Sequence, residues 1–318
     1  MNEAPTVPQV LPKLRISRLT PERSGVGEFL RRLRRNPLSV TGLAIIVFFV
    51  MVAVLAPVLA PPPRGWRDPY KIPNESFAPD PRPPRPGHPF GTTSEQYDLY
   101  YGVVWGTRTA FRVSLTVIAI SVAVGLVIGG FAGYRGGGAD EVFMRVTDVF
   151  LAFPGLILAV VIVAVLGKGL DKVLIALSLV SWPTYARLLR GEILSVRQRD
   201  FVEAARALGA SDVRIFVRHV LPNTIYPVLI YGSLDMASVV ISAAALSFLG
   251  LGAEVGYADW GQLINLARPW IIGAPGNAFQ YWYTLVYPGL AISLFVLGWN
   301  LLGDAFRDIM DPKLRGQA

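Results

Sequence analysis

Residues 38–63 read LSVTGLAIIVFFVMVAVLAPVLAPPP, and none of these 26 side chains is charged. The apolar core of a bilayer is about 30 Å thick, and about 20 apolar residues in a helix cross it. The run is longer than the apolar part of a cleavable leader, and 37 mostly polar residues precede it. We therefore expect it to form an uncleaved first membrane span.

Uncharged runs recur along the rest of the chain and predict five more spans. They cover residues 113–134, 149–167, 173–186, 226–252 and 285–303, and Asp235 interrupts the run 226–252. The run 173–186 is short, so we expect its helix to extend to Arg187 and Arg190, whose charged heads would reach the membrane interface. The sequence therefore predicts an all-α membrane protein with six spans.

Composition agrees with a membrane protein and excludes several kinds of chemistry. Hydrophobic residues make up 53% of the chain and charged residues 16%, against about 25% charged in soluble domains. The absence of cysteine excludes disulfides, cysteine-ligated metals and thiol nucleophiles. With two histidines, a histidine-rich metal site or a Ser-His-Asp triad is not expected.

The positions of the basic residues predict the orientation of the chain. Eight Lys or Arg residues lie in the first 37 positions, and seven lie in residues 187–222. Loops rich in Lys and Arg stay in the cytoplasm, so both termini are expected to be cytoplasmic. These basic residues at the ends of membrane spans explain the net charge of +8, and no nucleic-acid partner is expected.

These spans divide the chain into segments. An external loop between the first two spans contains eleven of the 25 prolines within residues 61–89, so neither helix nor sheet is expected there. It is either a spacer or a contact surface for an external partner. The predicted segments are a cytoplasmic N-terminus (1–37), a first span (38–60), the external loop (61–111), a five-helix core (112–303) with a cytoplasmic loop (187–222) and an external loop (253–284), and a cytoplasmic tail (304–318).

The cytoplasmic loop 187–222 contains two short apolar stripes at helical spacing, joined at Gly209. Helices of about two turns are not stable alone in water, so each stripe should rest on the membrane domain or on another protein. Glu203, Arg206 and Asp212 would then face outward. The stripes are Phe201, Ala204, Ala205 and Leu208 before the glycine, and Val213, Phe216, Val217 and Val220 after it, where Pro222 opens the next span.

This loop resembles the EAA loop of ATP-binding-cassette (ABC) import permeases, which contains a helix that docks in a cleft of the cytosolic ATPase. The resemblance rests on Glu203-Ala204-Ala205, on Gly209 four residues later, and on Leu221-Pro222. It implies that coupling to the ATPase is carried by Glu203, Ala204, Ala205, Arg206, Gly209, Leu221 and Pro222.

Other stretches are similar to the second, C-type membrane subunit of the dipeptide, oligopeptide and nickel branch of that family. They include DVFLAFP (148–154), LSFLGLG (246–252) and NLLGDAFRDIMDPKL (300–314). The resemblance implies a type I importer permease fold in the inner (cytoplasmic) membrane. The implied partners are two ATP-binding subunits, a second six-span permease and an extracytoplasmic solute-binding protein.

No phosphate-binding motif of an ATPase is present, so this chain is not expected to be an enzyme or to bind a cofactor. ATP and Mg would bind to the partner subunits. The substrate stays open among dipeptides, oligopeptides, nickel and oligosaccharides.

Two carboxylates lie in predicted spans. Asp235 either lines the transport pathway and attracts cationic groups, or forms a hydrogen bond with a neighbouring helix. Asp148 is expected to be structural and to pair with Arg145 or Arg187. The rival hypotheses are an ion-coupled secondary transporter, in which Asp148 and Asp235 carry protons, and a channel subunit.

Overall fold

The computed structural model describes residues 36–75, 78, 80–273, 277 and 279–310. Helices dominate this part of the chain, which contains isolated β-bridges but no strand, so the all-α prediction is confirmed. A π-helical turn, Phe216–Val220, and a 3-10 turn, Arg268–Trp270, lie between the helices. The α-helices are α1 (Pro37–Leu59), α2 (Leu99–Arg135), α3 (Gly137–Leu151), α4 (Gly155–Leu166), α5 (Leu170–Val196), α6 (Asp200–Ala207), α7 (Asp212–Ile215), α8 (Leu221–Phe248), α9 (Trp260–Ala267) and α10 (Trp282–Met310).

Four helical segments of the described chain are long and apolar enough to cross a membrane. They are α1, α2, α10 and the continuous helix Asp212–Phe248, which joins α7, the π-turn and α8. The pair α3 and α4 makes a fifth candidate if the bent pair counts as one span. The count of six spans and the cytoplasmic position of both termini stay predictions.

The third span expected at residues 149–167 contains a sharp break. α3 ends at Leu151, α4 begins at Gly155, and the two helices meet at an angle of 88°. Pro154 explains the break, because it has no backbone N–H to donate and because it disfavours helical geometry at Phe153. The bend forms one wall of a cavity beside α5.

The short run 173–186 forms the middle of α5, which is not among the candidate spans. Arg187 and Arg190 follow this run on α5 and were expected to reach the membrane interface. Both form ion pairs with residues of α3. Arg190 donates to both carboxylate oxygens of Asp140 at 2.5 and 2.6 Å, and Arg187 pairs with Asp148. Of the two partners considered for Asp148, Arg187 is the one observed. Two ion pairs therefore connect α3 to α5.

Two helices extend past the predicted segment boundaries. α2 begins at Leu99, inside the stretch 61–111 that was assigned to the external loop, and α10 continues to Met310, inside the stretch assigned to the tail. Asp98 caps α2 by accepting a hydrogen bond from the backbone N–H of Tyr101 at 3.0 Å. The predicted boundaries followed the charged residues Arg112 and Asp304, whereas both helices continue through these positions.

A glycine face on α2 lets its backbone touch α5. A Cβ added at Gly125 would lie 2.6 Å from Cβ of Tyr185, and one at Gly129 would overlap the carbonyl of Ala186. At Gly133 the added atom would lie 3.1 Å from Cα of Arg190. The four-residue spacing of these glycines predicts a close helix–helix approach, and the structure confirms it.

The proline-rich loop packs against the segment before α9. The Tyr70 ring stacks on that of Tyr257, with centroids 5.5 Å apart, and the N–H of Ile72 donates to Gly256 O at 2.7 Å. The N–H of Ala258 donates in turn to Tyr70 O at 2.7 Å. The two segments, both predicted to be external, therefore form a folded cap.

A charged cluster holds the other end of this cap. His88 Nε2 lies 2.8 Å from a Glu75 oxygen, and its Nδ1 lies 2.7 Å from an Asp98 oxygen. Glu75 also pairs with Arg85. The hydrogen bonds from His88 and Arg85 hold the pKa of Glu75 below its usual value, so this carboxylate stays charged in mildly acidic solution.

We expect Gly129→Ala to lower the free energy of unfolding by about 1–3 kcal/mol, because the added methyl group meets backbone atoms that have no flexible end to move aside. Thermal unfolding of the purified protein in detergent measures the change. Gly191→Ala is the matched control, since a Cβ at this α5 position meets nothing within 4 Å, and we expect its stability to be unchanged or slightly higher. Equal unfolding temperatures for the two variants would contradict the close packing.

Candidate functional site

The predicted coupling loop folds as an elbow, which we define as residues 200–220, and this elbow packs on the ends of α2 and α5. α6 forms its first arm, and α7 with the π-turn forms its second arm. A small apolar core joins the elbow to α5, with Tyr134 of α2 at its edge. The fully buried members of this core are Ile193, Val196, Val202, Ile215 and Val220.

Gly209 makes the bend between the two arms. Its φ of +80° lies in the left-handed region, which a residue with a Cβ adopts only at a cost. Its N–H donates to Arg206 O at 3.0 Å, and the N–H of Ala210 donates to Ala205 O at 3.1 Å. This pair of bonds is the Schellman motif, which ends a helix at a glycine. Both alanines pack against the apolar core of the elbow, so the spacing from Ala205 to Gly209 has a structural cause.

The two predicted stripes divide between a buried and an exposed face. Phe216 and Val220 pack inward, whereas Leu208 is 88% exposed and Val213 is 74% exposed. Phe201 and Val217 are exposed as well. Within this chain, the exposed face therefore does not rest on the membrane domain.

Val202 is buried, whereas the sequence predicted that the stripe beginning at the neighbouring Phe201 would face the rest of the protein. It lies three residues before Ala205, which also packs on the apolar core of the elbow. That i, i+3 spacing was a second helical register present in the sequence, and it was the signal that pointed to the inward face.

The second arm continues without a break into α8, whose first turn contains Pro222, the residue expected to open the next span. Helix Asp212–Phe248 is continuous, and Pro222 lies in the first turn of α8. The π-turn carries the chain up to this proline, and the N–H of Leu221 donates to Phe216 O in a bond that spans five residues. The second arm of the elbow and Asp235 therefore lie on one helix.

Side chains that sequence reasoning missed fasten the elbow to α2. The Tyr134 hydroxyl lies 3.1 Å from both Asp212 O and Asp212 Oδ1 and donates to them, and Asp212 is exposed, as expected. The Tyr134 ring contacts Phe216 edge-on at 5.3 Å. Arg197 donates to Gly133 O and Tyr134 O at 3.0 and 3.1 Å. These contacts join residues more than 60 positions apart, and no local pattern in the sequence indicates them.

The remaining predicted coupling residues lie on or beside this elbow. Glu203, Ala204 and Arg206 are exposed on α6. Leu221 is half-buried at the start of α8, and Pro222 beside it is exposed.

Asp235 lies apart from the elbow, at a polar cavity between the bend of α3 and α4, helix α5 and helix α8. Two adjoining lobes of about 200 and 100 Å³ share Gly155, Val180, Ser181 and Asp235 in their walls. The Tyr185 hydroxyl donates to Asp235 at 2.9 Å. Asp235 therefore accepts a hydrogen bond from a neighbouring helix, as one of the two sequence interpretations proposed, and its place in the transport pathway stays a prediction.

Comparison with known proteins identifies the family. Residues 125–316 match the family described as the binding-protein-dependent transport system inner membrane component. Residues 26–79 match the N-terminal transmembrane domain of oligopeptide transport permease C. The chain belongs to this family of ABC importer permeases.

Individual relatives cover nearly the whole permease. The dipeptide transport system permease protein DppC of Alkalihalophilus pseudofirmus is 35% identical over 91% of this chain and 90% of its own length. The glutathione transport system permease protein GsiD of Escherichia coli O6:K15:H31 is 38% identical over 91% of each chain. A solved inward-facing structure of the MetNI methionine ABC transporter aligns with 65% of this chain and 97% of its own at 18% identity, with a TM-score of 0.48.

Membership in this family fixes several general properties of the permease. It is a non-catalytic, multi-pass subunit of an importer in the inner membrane. Importers of this family work with ATP-binding subunits and with a binding protein, which are therefore partners of this chain.

We expect Gly209→Val to destabilise the elbow by about 1–2 kcal/mol, because a β-branched residue is strained at a φ of +80°. Gly209→Asn is the matched variant, since asparagine tolerates this conformation and should cost less. Hydrogen–deuterium exchange across residues 200–220 measures the loss of protection. If both variants exchange like the wild type, the left-handed turn is not what shapes the elbow.

Proposed function

We propose that this permease forms half of the pathway of a peptide importer, together with a second six-span permease, and that the elbow couples it to the ATP-binding subunits. The observation that carries the proposal is the single helix Asp212–Phe248. It begins at the exposed elbow and contains Asp235, which borders the polar cavity. A movement imposed on the elbow therefore reaches the cavity through one continuous element.

The helix is long enough to connect the elbow with the cavity. Asp212 and Asp235 are 23 residues apart, which at about 1.5 Å per residue corresponds to about 35 Å along the axis. This length is comparable to the thickness of the apolar core of a bilayer. A packed helix moves as a rigid element, so displacement at its cytoplasmic end changes the packing around Asp235.

The exposed face of the elbow has the composition of a docking surface. Leu208 and Val213 project apolar side chains beyond the chain's own core, and the charged residues Glu203 and Arg206 lie beside them. Protein interfaces commonly combine an apolar centre with a polar rim. We assign the apolar contact with the ATPase to Leu208 and Val213, and the polar contact to Glu203 and Arg206.

Closure of the ATP-binding subunits would push on this face. The push would reach α8 through the continuous helix, and α2 through the bond between Tyr134 and Asp212. The two helices would shift together, and the pathway would change from inward-facing to outward-facing. Gly209 and the two hydrogen bonds of its turn, donated by Gly209 and Ala210, hold the arms at a fixed angle, so the push is not lost as bending.

Peptides are the substrate class that the relatives favour, since the two named above carry dipeptides and glutathione, which are both small peptides. A secondary transporter using Asp148 and Asp235 is less well supported. Asp148 is paired with Arg187 and is not among the residues that line the cavity. A channel would not require an exposed docking elbow.

We expect Glu203→Lys to lower ATP-driven uptake about tenfold, a loss of ~1.4 kcal/mol in coupling, because it reverses a charge at the proposed contact with the ATPase. Uptake of radiolabelled Ala-Ala into proteoliposomes containing the complete complex, measured beside ATP hydrolysis, tests the expectation. Hydrolysis should continue without matching uptake.

Glu141→Lys is the control for this experiment, since Glu141 is an exposed acidic residue of α3 outside the elbow. It should leave uptake within about twofold of the wild type, as is usual for surface charges away from contacts. Normal uptake by the Glu203→Lys complex would remove the coupling role from this residue.

A further inference from the structure

The cavity beside Asp235 has one polar wall and one apolar wall. Ser181 and Thr184 of α5, with Tyr231, Ser238 and Ser242 of α8, supply hydroxyl groups near the carboxylate. The opposite wall comes from the bend between α3 and α4 and contains Phe150, Leu151 and Phe153. The larger lobe, of about 200 Å³, exceeds the ~150 Å³ that holds a benzene-sized ligand.

Asp235 has no cationic partner among the residues that the structure describes. The described ion pairs use other carboxylates, and no Lys or Arg lines either lobe of the cavity. Among the described residues, Asp235 accepts one hydrogen bond, which the Tyr185 hydroxyl donates to Oδ2. A carboxylate in the middle of a span costs at least about 2.5 kcal/mol, and one neutral hydroxyl offsets only part of that cost.

Tyr185 acts as a positioning residue for this carboxylate. Its side chain is fully buried, and its ring contacts Tyr231 edge-on at 5.2 Å, so its hydroxyl is held at a fixed place. Because the bond is made to Oδ2, the second oxygen of Asp235 stays available to another donor. An asparagine at position 235 would also accept the hydrogen bond from Tyr185, so this bond alone does not explain why the residue is charged.

We propose that the cavity is a binding subsite for a primary ammonium group of the transported solute, with Asp235 as the counter-ion. The proposal rests on the proposed function and extends it by naming the group recognised. An ammonium group has three N–H donors, which suit one carboxylate oxygen and two hydroxyls. The apolar wall would receive the side chain beside the amino terminus of a peptide.

The same residues do not suit a metal ion as the solute recognised here. Nickel and other transition metals favour imidazole and thiolate ligands, and the cavity walls contain neither. No group of three or more His, Cys, Asp or Glu side chains is arranged for a metal in the described chain. An organic cation is therefore the ligand that this donor set fits.

The lack of cysteine in the chain allows a direct test of the charge in the cavity. Ser238→Cys places a single thiol in the smaller lobe, and the complete importer complex would be treated with a cationic or an anionic methanethiosulfonate reagent of similar size. Mass spectrometry of this subunit measures both labelling rates. Taking the ratio of the two rates removes any effect of Asp235 on the ionisation of the thiol itself.

We expect the cationic reagent to react faster at position 238, and Asp235→Asn to lower the cation-to-anion ratio about fivefold. Asp235→Glu should keep the preference. Val255→Cys, an exposed position in the external loop, is the matched control, and its ratio should not respond to Asp235→Asn. Ala-Ala should slow the labelling of the Ser238→Cys variant when Asp235 is intact, whereas N-acetyl-Ala-Ala, which lacks the ammonium group, should not.

Three results would overturn the proposal. They are a ratio unchanged by Asp235→Asn, equal protection or no protection by the two peptides, and no reaction of the Ser238→Cys variant with either reagent. The first would mean that Asp235 exerts no negative charge in the cavity of the assembled complex. Labelling does not depend on the ATPase, so a failure of coupling in the Glu203→Lys experiment is separate from a failure of this subsite.

Discussion

The contact between the backbones of α2 and α5 determines the positions of the other functional parts. At Gly129 the two helices approach until only a hydrogen atom fits between α2 and Ala186. The residues on either side of Ala186 are Tyr185, which binds Asp235, and Arg187, which binds Asp148. Close packing in a membrane depends on such small residues, because apolar side chains gain little by leaving lipid. One backbone contact thus helps to position both the bond from Tyr185 to Asp235 and the link from Arg187 to α3.

The elbow depends on a similarly small number of contacts at the ends of α2 and α5. A single left-handed glycine ends α6, and the chain then continues as one helix from the elbow to beyond Asp235. Tyr134 ties that helix to the end of α2, whose glycine face holds α5. A force applied to the exposed face of the elbow is therefore shared among three helices, and two of these contribute side chains to the cavity.

Periodicity and charge predicted much of this fold, and the failures have identifiable causes. Apolar runs and the glycine spacing at Gly125, Gly129 and Gly133 depend on neighbours along one helix, so the sequence displays them directly. The break at Pro154 was visible as a proline but was outweighed by the apolar run around it. The bond from Tyr134 to Asp212 joins residues 78 positions apart, and single-sequence patterns carry no information on such pairs. The resemblance of this region to a coupling loop rests on the spacing of Glu203, Gly209 and Pro222, while the buried face of the elbow required the packing of Val202.

The central claim is that the exposed face of the elbow contacts an ATP-binding subunit, and site-specific photo-cross-linking tests it most directly. A benzophenone amino acid would replace Leu208 in the assembled importer, and the same amino acid in place of Val165, an exposed position of α4, would report contacts elsewhere on the surface. The account predicts an adduct between position 208 and an ATP-binding subunit, and none with that subunit from position 165. An adduct of position 208 with lipid alone would contradict the account.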